Sequence, residues 1–99
     1  MCLIKAASVH TGLSERQIHS KRRHTELCEA RWACWVIMRK AGMTLIQIGE
    51  AFGRGHDTVI YGLKAAEENL GARDHAFRRL ITALESAREC EELLNTQHN

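Results

Sequence analysis

Ninety-nine residues and 11.2 kDa make one small domain and leave no room for a second of ordinary size. With 44% hydrophobic and 26% charged residues the composition excludes a disordered chain, the absence of proline fits helices, and no apolar run approaches the length of a membrane span. The net charge of +2 is unevenly spread: residues 1–64 carry ten Lys/Arg against five Asp/Glu, and residues 65–99 carry four against seven, a basic front of the kind that turns toward a polyanion.

In chain order, the first helix is expected over Cys2 to His10, with Leu3, Ala6 and Ala7 on one stripe and Thr11-Gly12 ending it. The start Met1-Cys2-Leu3-Ile4-Lys5 lacks the long apolar stretch of a signal peptide. A single turn follows over Leu13 to Ile18, opened by Ser14, and then a basic loop, Ser20-Lys21-Arg22-Arg23-His24. A long helix is expected from Glu26 to Lys40, with Thr25 as N-cap, acids in its first turn, Arg39 and Lys40 in its last, and Gly42 as its stop. Leu27, Ala30, Cys34, Ile37 and Ala41 repeat at three and four and form its buried stripe. Trp32 and Trp35 lie off that stripe, where they either wall the core or stack on bases; the wall is favoured, because stacking aromatics belong mainly to single-strand binders.

Thr44-Leu45-Ile46-Gln47 is a capping box. The short helix it opens presents Leu45, Ile48, Ala51 and Phe52 on its apolar face, and Gly53-Arg54-Gly55 breaks it. A second helix is expected from His56 to Leu70, buried through Val59, Ile60, Leu63, Ala66 and Leu70, with His56, Asp57, Thr58, Tyr61 and Lys64 at its exposed start and outer face. The last helix covers Arg73 to Leu94, with Phe77, Leu80, Ile81, Leu84 and Ala87 inward, and Thr96 to Asn99 fray. The chain therefore reads as all-α, one domain over residues 1–95 with a helix-turn-helix at 44–70 and a C-terminal helix at 73–94.

The pair 44–52 and 56–70, joined by a three-residue glycine turn, has helix-turn-helix spacing. In that motif the second helix enters the major groove by its N-terminal residues, here Arg54, His56, Asp57 and Thr58. An ordinary helical hairpin with a solvated polar end has the same spacing. Lys21-Arg22-Arg23 alone is a solvated loop as readily as a binding element, but it stands beside the helix that ends in Arg39-Lys40. An arginine reaching into a minor groove next to a helix in the major groove is a known arrangement. Other chemistries find little support. Cysteines at 2, 28, 34 and 90 form no C-x-x-C pair; His24 and Cys28 have i, i+4 metal-ligand spacing but no second ligand pair. No nucleotide-binding glycine motif occurs, and adjacent His56-Asp57 does not place a base at a nucleophile. No cofactor, metal or catalytic residue is assigned, and no enzyme activity is expected.

The stretch Ile48-Gly49-Glu50-Ala51-Phe52-Gly53-Arg54-Gly55-His56-Asp57-Thr58-Val59 resembles the signature I-G-x-x-F-G-(G)-R-D-H-T-T-V of the C-terminal DNA-binding domain of the bacterial replication initiator DnaA. Ser20-Lys21-Arg22-Arg23 is similar to that family's S-K-R-R loop at the right distance upstream, and the likeness covers about Ile4 to Ser86. It implies an all-helical, Trp-repressor-like fold that binds double-stranded DNA at short DnaA boxes. Arg23 would then be the minor-groove arginine. Arg54, His56, Asp57 and Thr58 would stand at the groove, His56 at base edges or a thymine methyl and Thr58 at a phosphate. Lys21, Arg22, Arg31, Arg39 and Lys64 would face the DNA backbone. The chain departs from the family at Gly55, where the signature has Asp, and at Asp57, where it has Thr; Trp32 also replaces a residue that is usually polar. Asp57 repels phosphates but can accept from cytosine N4, so a shifted sequence preference is expected.

The ATPase domain of DnaA is not part of this sequence, which therefore resembles a stand-alone DnaA-like regulator of transcription or replication, of the kind carried by phages and mobile elements. It is expected in the bacterial cytoplasm at the nucleoid, with no membrane association. The alternative is a protein-interaction module on the same fold. Its acidic last helix, with Glu85, Glu89, Glu91 and Glu92, would serve a homodimer or another protein partner.

Overall fold

The computed structural model describes residues 3–72 and 75–97, with side-chain surroundings as far as Glu89. Among the described residues there are six helices and no strand: α1 Leu3–Thr11, α2 Glu15–His19, α3 Thr25–Lys40, α4 Leu45–Phe52, α5 His56–Gly71 and α6 His75–Gln97. The all-α reading holds. None of these helices is long and apolar enough to cross a membrane.

Local chemistry sets most of the boundaries. Ser14 and Thr44 open α2 and α4 with complete capping boxes: each hydroxyl accepts from the backbone N–H three residues on, and Gln17 and Gln47 accept in return from the cap N–H. Two orphan donors are satisfied at each end. Thr25 is not the N-cap of α3. His24 takes that place in extended conformation, with no side-chain cap bond, and Thr25 is already helical. Gly71 is the last residue of α5. The expected starts at Cys2 and Arg73 lie outside the described residues, and α6 continues to Gln97, past the expected fraying point at Thr96.

The centre of the molecule is α3, against which each of the other five helices packs. That position explains why its buried face is wider than a single stripe. Leu27, Ala30, Ala33, Cys34, Trp35 and Ile37 are all buried, while Ala41, expected inside, falls past the helix end and is exposed. A helix surrounded by partners buries most of its circumference. Trp35 is accordingly a core residue, and Trp32 is half-buried at the margin. On one side of α3 lie α1 and α6, contributing Leu3, Ile4, Ala7, Phe77, Leu80, Ile81 and Leu84; on the other lie α4 and α5, contributing Ile48, Phe52, Val59 and Ala66. Ala51, expected on the apolar face of α4, is exposed, and Gly49 is buried in its stead.

Packing of the helix-turn-helix on α3 rests on two fits. Phe52 meets Trp35 edge-on, with centroids 5.7 Å apart at 87°, a favoured aromatic geometry. Gly62, in the middle of α5, lies against the Trp35 ring and the Trp32 indole, which occupy the space where any larger side chain would begin. A mid-helix glycine costs about 1 kcal/mol relative to alanine in an exposed helix; here it permits the close approach of α5 to α3.

Two stability outcomes follow. Phe52→Ala should cost about 3–5 kcal/mol in denaturant unfolding, the range for deleting a buried aromatic; a parent-like midpoint would place Phe52 outside the core. Gly62→Ala, which raises helix propensity, should nevertheless destabilise by roughly 1–3 kcal/mol through overpacking against Trp35. A gain in stability would show that the α3–α5 contact is loose.

Candidate nucleic-acid interface

The turn between α4 and α5 is built by backbone geometry. Gly53 closes α4 in the left-handed conformation at φ 65°, and its N–H reaches back toward the Glu50 and Gly49 carbonyls, a role that suits a residue without Cβ. The Arg54 N–H donates to the Gly49 carbonyl at 2.8 Å. Gly49 itself sits against the Arg54 carbonyl with no room for a side chain, which accounts physically for the Ile48-Gly49 pair of the motif. Gly55 is the N-cap of α5, extended and without a side-chain cap bond. The first turn of α5 therefore presents His56, Asp57 and Thr58 on an exposed helix start.

The basic loop is fastened to this turn by cations that satisfy carbonyl groups. Arg31 donates from Nε to the Ile18 carbonyl at 2.7 Å and from Nη2 to the Ser20 carbonyl at 2.6 Å. These carbonyls end α2, where a helix leaves acceptors unpaired and its dipole favours a cation. Arg54 reaches the same Ser20 carbonyl from the other side, Nη2 at 2.6 Å, while its Nη1 donates to the Phe52 carbonyl at 2.8 Å. The Lys21 ammonium donates to the Gly53 carbonyl at 2.7 Å. One loop carbonyl thus joins α3 to the helix-turn-helix turn, and Lys21 adds a second tie to the end of α4.

Burial pushes both guanidinium pKa values below the ordinary arginine value. For Arg31 the neighbouring Cys28, 3.8 Å from Nη1, opposes the shift. For Arg54 burial is followed by the repulsion of Arg31, and Cys28 again opposes. Both groups remain charged, since arginine is not deprotonated in proteins.

Arg31 is therefore corrected as a DNA-backbone position: it is 4% exposed and its guanidinium is turned inward onto the α2 end. Arg54 and Lys21 face the loop but are bonded to backbone carbonyls, and Arg39, exposed at the end of α3, donates to the Met43 carbonyl at 3.0 Å. Arg22, Arg23 and Lys64 are exposed. The His56 imidazole and the Asp57 carboxylate approach to 3.3 Å, both in solvent. A cleft of about 880 Å³ between the loop and α5 gathers Lys21, Arg23, Arg54, Asp57 and Thr58, with Arg31 and Cys28 in its wall; His56, Arg22, Arg39 and Lys64 are not among the residues that line it. Tyr61 and Trp32 also line it; the sequence pattern puts Tyr61 on the outer face of α5 and favours Trp32 as a wall of the core over base stacking. The acidic face of α6 is partly engaged, because Glu85 pairs with Lys40 at 2.8 Å; the side chains of Glu91 and Glu92 lie outside the described residues.

Removing the Arg31 guanidinium while keeping its alkyl bulk, as in Arg31→Met, takes the donor from the buried Ile18 carbonyl, at about 1–3 kcal/mol, and leaves the Ser20 carbonyl to Arg54 alone. Denaturant unfolding should show a loss of that order, whereas Arg23→Ala should leave the midpoint unchanged. Equal, negligible effects would mean that the loop is not held by Arg31.

The comparisons agree with this architecture. Residues 2–65 match the family described as bacterial dnaA protein helix-turn-helix. The chromosomal replication initiator protein DnaA of Thermodesulfovibrio yellowstonii is 37% identical over 82 residues, covering 81% of this chain and 18% of that protein. The protein of the same name from Oleidesulfovibrio alaskensis is 32% identical over 73 residues, covering 73% of this chain and 16% of that one. The chain thus spans less than a fifth of the length of these relatives. By the match over residues 2–65 and the 37% identity across 81% of its length, the chain belongs to the bacterial DnaA helix-turn-helix family.

Proposed function

We propose that the chain is a sequence-specific double-stranded DNA-binding protein, acting as a regulator of transcription or replication. The observation that carries this reading is the tie through the Ser20 carbonyl, which sets an exposed basic loop and the exposed start of α5 on one cleft. A loop and a helix held at fixed separation suit two adjacent grooves of one duplex. In this reading Arg23 enters the minor groove, and His56, Asp57 and Thr58 meet the major groove. Arg22 and Lys64 lie near phosphates, while Lys21, Arg39 and Arg54 add positive field from positions partly committed to carbonyl groups. Arg31 supports the loop from inside. Family membership supports a DNA-binding role; the restriction to DnaA-box-like sites is part of the proposal.

Asp57 distinguishes this surface from the family signature. Its carboxylate stands in solvent next to His56, where it repels phosphates and holds the imidazole. It can also accept from a cytosine amino group. The preferred site should accordingly differ from a DnaA box.

Selection of bound duplexes from a random pool, followed by salt titration on the winner, tests the proposal. A specific duplex should emerge, and log affinity should fall linearly with log salt. Arg23→Ala should weaken binding to all duplexes and reduce the salt slope by about one. Asp57→Thr should raise affinity for any duplex and shift preference toward a DnaA box, by the ~1–3 kcal/mol that a good base-edge contact discriminates. His56→Ala should flatten the ranking of duplexes more than it lowers general affinity. No selected duplex and no salt-dependent binding would leave the fold as a protein-interaction module.

A further inference from the structure

Tyr61 has no part in the contacts proposed so far. It is 68% exposed and stands one turn beyond Asp57 on α5, about 6 Å further along the axis at 1.5 Å per residue. Asp57, Tyr61 and Lys64 share one line at i, i+4 and i+7, so they face the same way. All three are exposed. The ring is also buttressed. It meets the Trp32 indole of α3 edge-on, with centroids 6.4 Å apart at 71°. Trp32 is half-buried and rests on α5 where Gly62 leaves space.

An aromatic ring that lies mostly outside the core, yet is propped in one place, is suited to an external partner. The charge around it identifies the chemistry of that partner. Tyr61 lines the same cleft as Lys21, Arg23 and Arg54, and Lys64 lies one turn further along. A polyanion that brings an apolar group to this surface fits both features. In duplex DNA the apolar group displayed in the major groove is the thymine C5 methyl.

We infer that Tyr61 is a specificity-determining residue that packs its ring against a thymine methyl, further into the major groove than His56 and Asp57. The inference rests on the DNA-binding reading above and extends the reading surface of α5 by one turn. The phenol hydroxyl is not the recognising group.

The test uses the full chain and the duplex won by selection, with each thymine replaced in turn by deoxyuridine, which removes only the methyl. One position should lose about four-fold in affinity, the value of one buried methyl group at ~0.8 kcal/mol. Tyr61→Phe should keep that loss. Tyr61→Ala should abolish it at that position alone, leaving sensitivity to Arg23→Ala and the thermal unfolding midpoint as in the parent. Persistence of every methyl effect in Tyr61→Ala overturns the inference, as does a tightly bound site with no methyl-sensitive thymine. An equal loss of affinity in Tyr61→Phe and Tyr61→Ala also overturns it, by assigning the contact to the hydroxyl. Absence of duplex binding by the parent chain is a different failure: it removes the DNA-binding reading, and this inference with it.

Discussion

The carbonyl oxygen of Ser20 accepts from two guanidinium groups, one from the central helix and one from the turn of the helix-turn-helix. The relation between the basic loop and α5 rests on that acceptor and on the bond from Lys21 to the Gly53 carbonyl. The bonds are charge-assisted, at the strong end of the range for neutral acceptors; they serve the C-terminus of α2, and the second Arg54 bond, to the Phe52 carbonyl, serves that of α4. Because the acceptors are carbonyl dipoles rather than carboxylates, the cations are oriented without being neutralised. Their charge adds to the field over the cleft, where Arg23 stands exposed. Such a field raises the local concentration of a polyanion and its association rate.

Behind this tie, the packing of α3 supplies rigidity. Trp35 is in contact with Phe52 of α4 and with the backbone of α5 at Gly62, so both helices of the motif are referenced to one buried ring. Close-packed interiors deform little. The loop is referenced to the same helix through Arg31. The two proposed reading elements are therefore both anchored to α3. Tyr61, held by Trp32, belongs to the same frame.

Much of this was legible in the sequence. The Thr44-x-x-Gln47 pattern marks the start of α4, Ser14 the start of α2, Gly53 the turn, and Val59 and Ala66 the inner face of α5, while the Gln17 half of the α2 capping box went unread. The basic loop and the glycine turn with its His-Asp-Thr start carried the family resemblance. What was not legible is long-range. An arginine on a helix reads as surface, and the burial of Arg31 follows from carbonyls 11 and 13 residues away that sequence spacing does not reveal. Thr25 yields the cap position to His24 because both precede an acidic first turn and local preference hardly separates neighbouring starts. Gly62 carried a signal that could have been read: a glycine inside a helical pattern marks close approach when nothing local requires it. Trp32 and Trp35, three residues apart, differ in burial because Phe52 and α5 enclose the Trp35 ring while Trp32 stays at the margin of the core.

A loop and a helix fixed to one another through the Ser20 carbonyl should meet adjacent grooves of the same duplex. Dimethyl sulfate protection on the selected duplex tests it most directly, since guanine N7 reports the major groove and adenine N3 the minor groove. Protected N7 positions should lie immediately beside a block of protected N3 positions, and Arg23→Ala should lose the N3 block alone. Protection confined to one groove, or an Arg23→Ala pattern that fades equally in both, would contradict it.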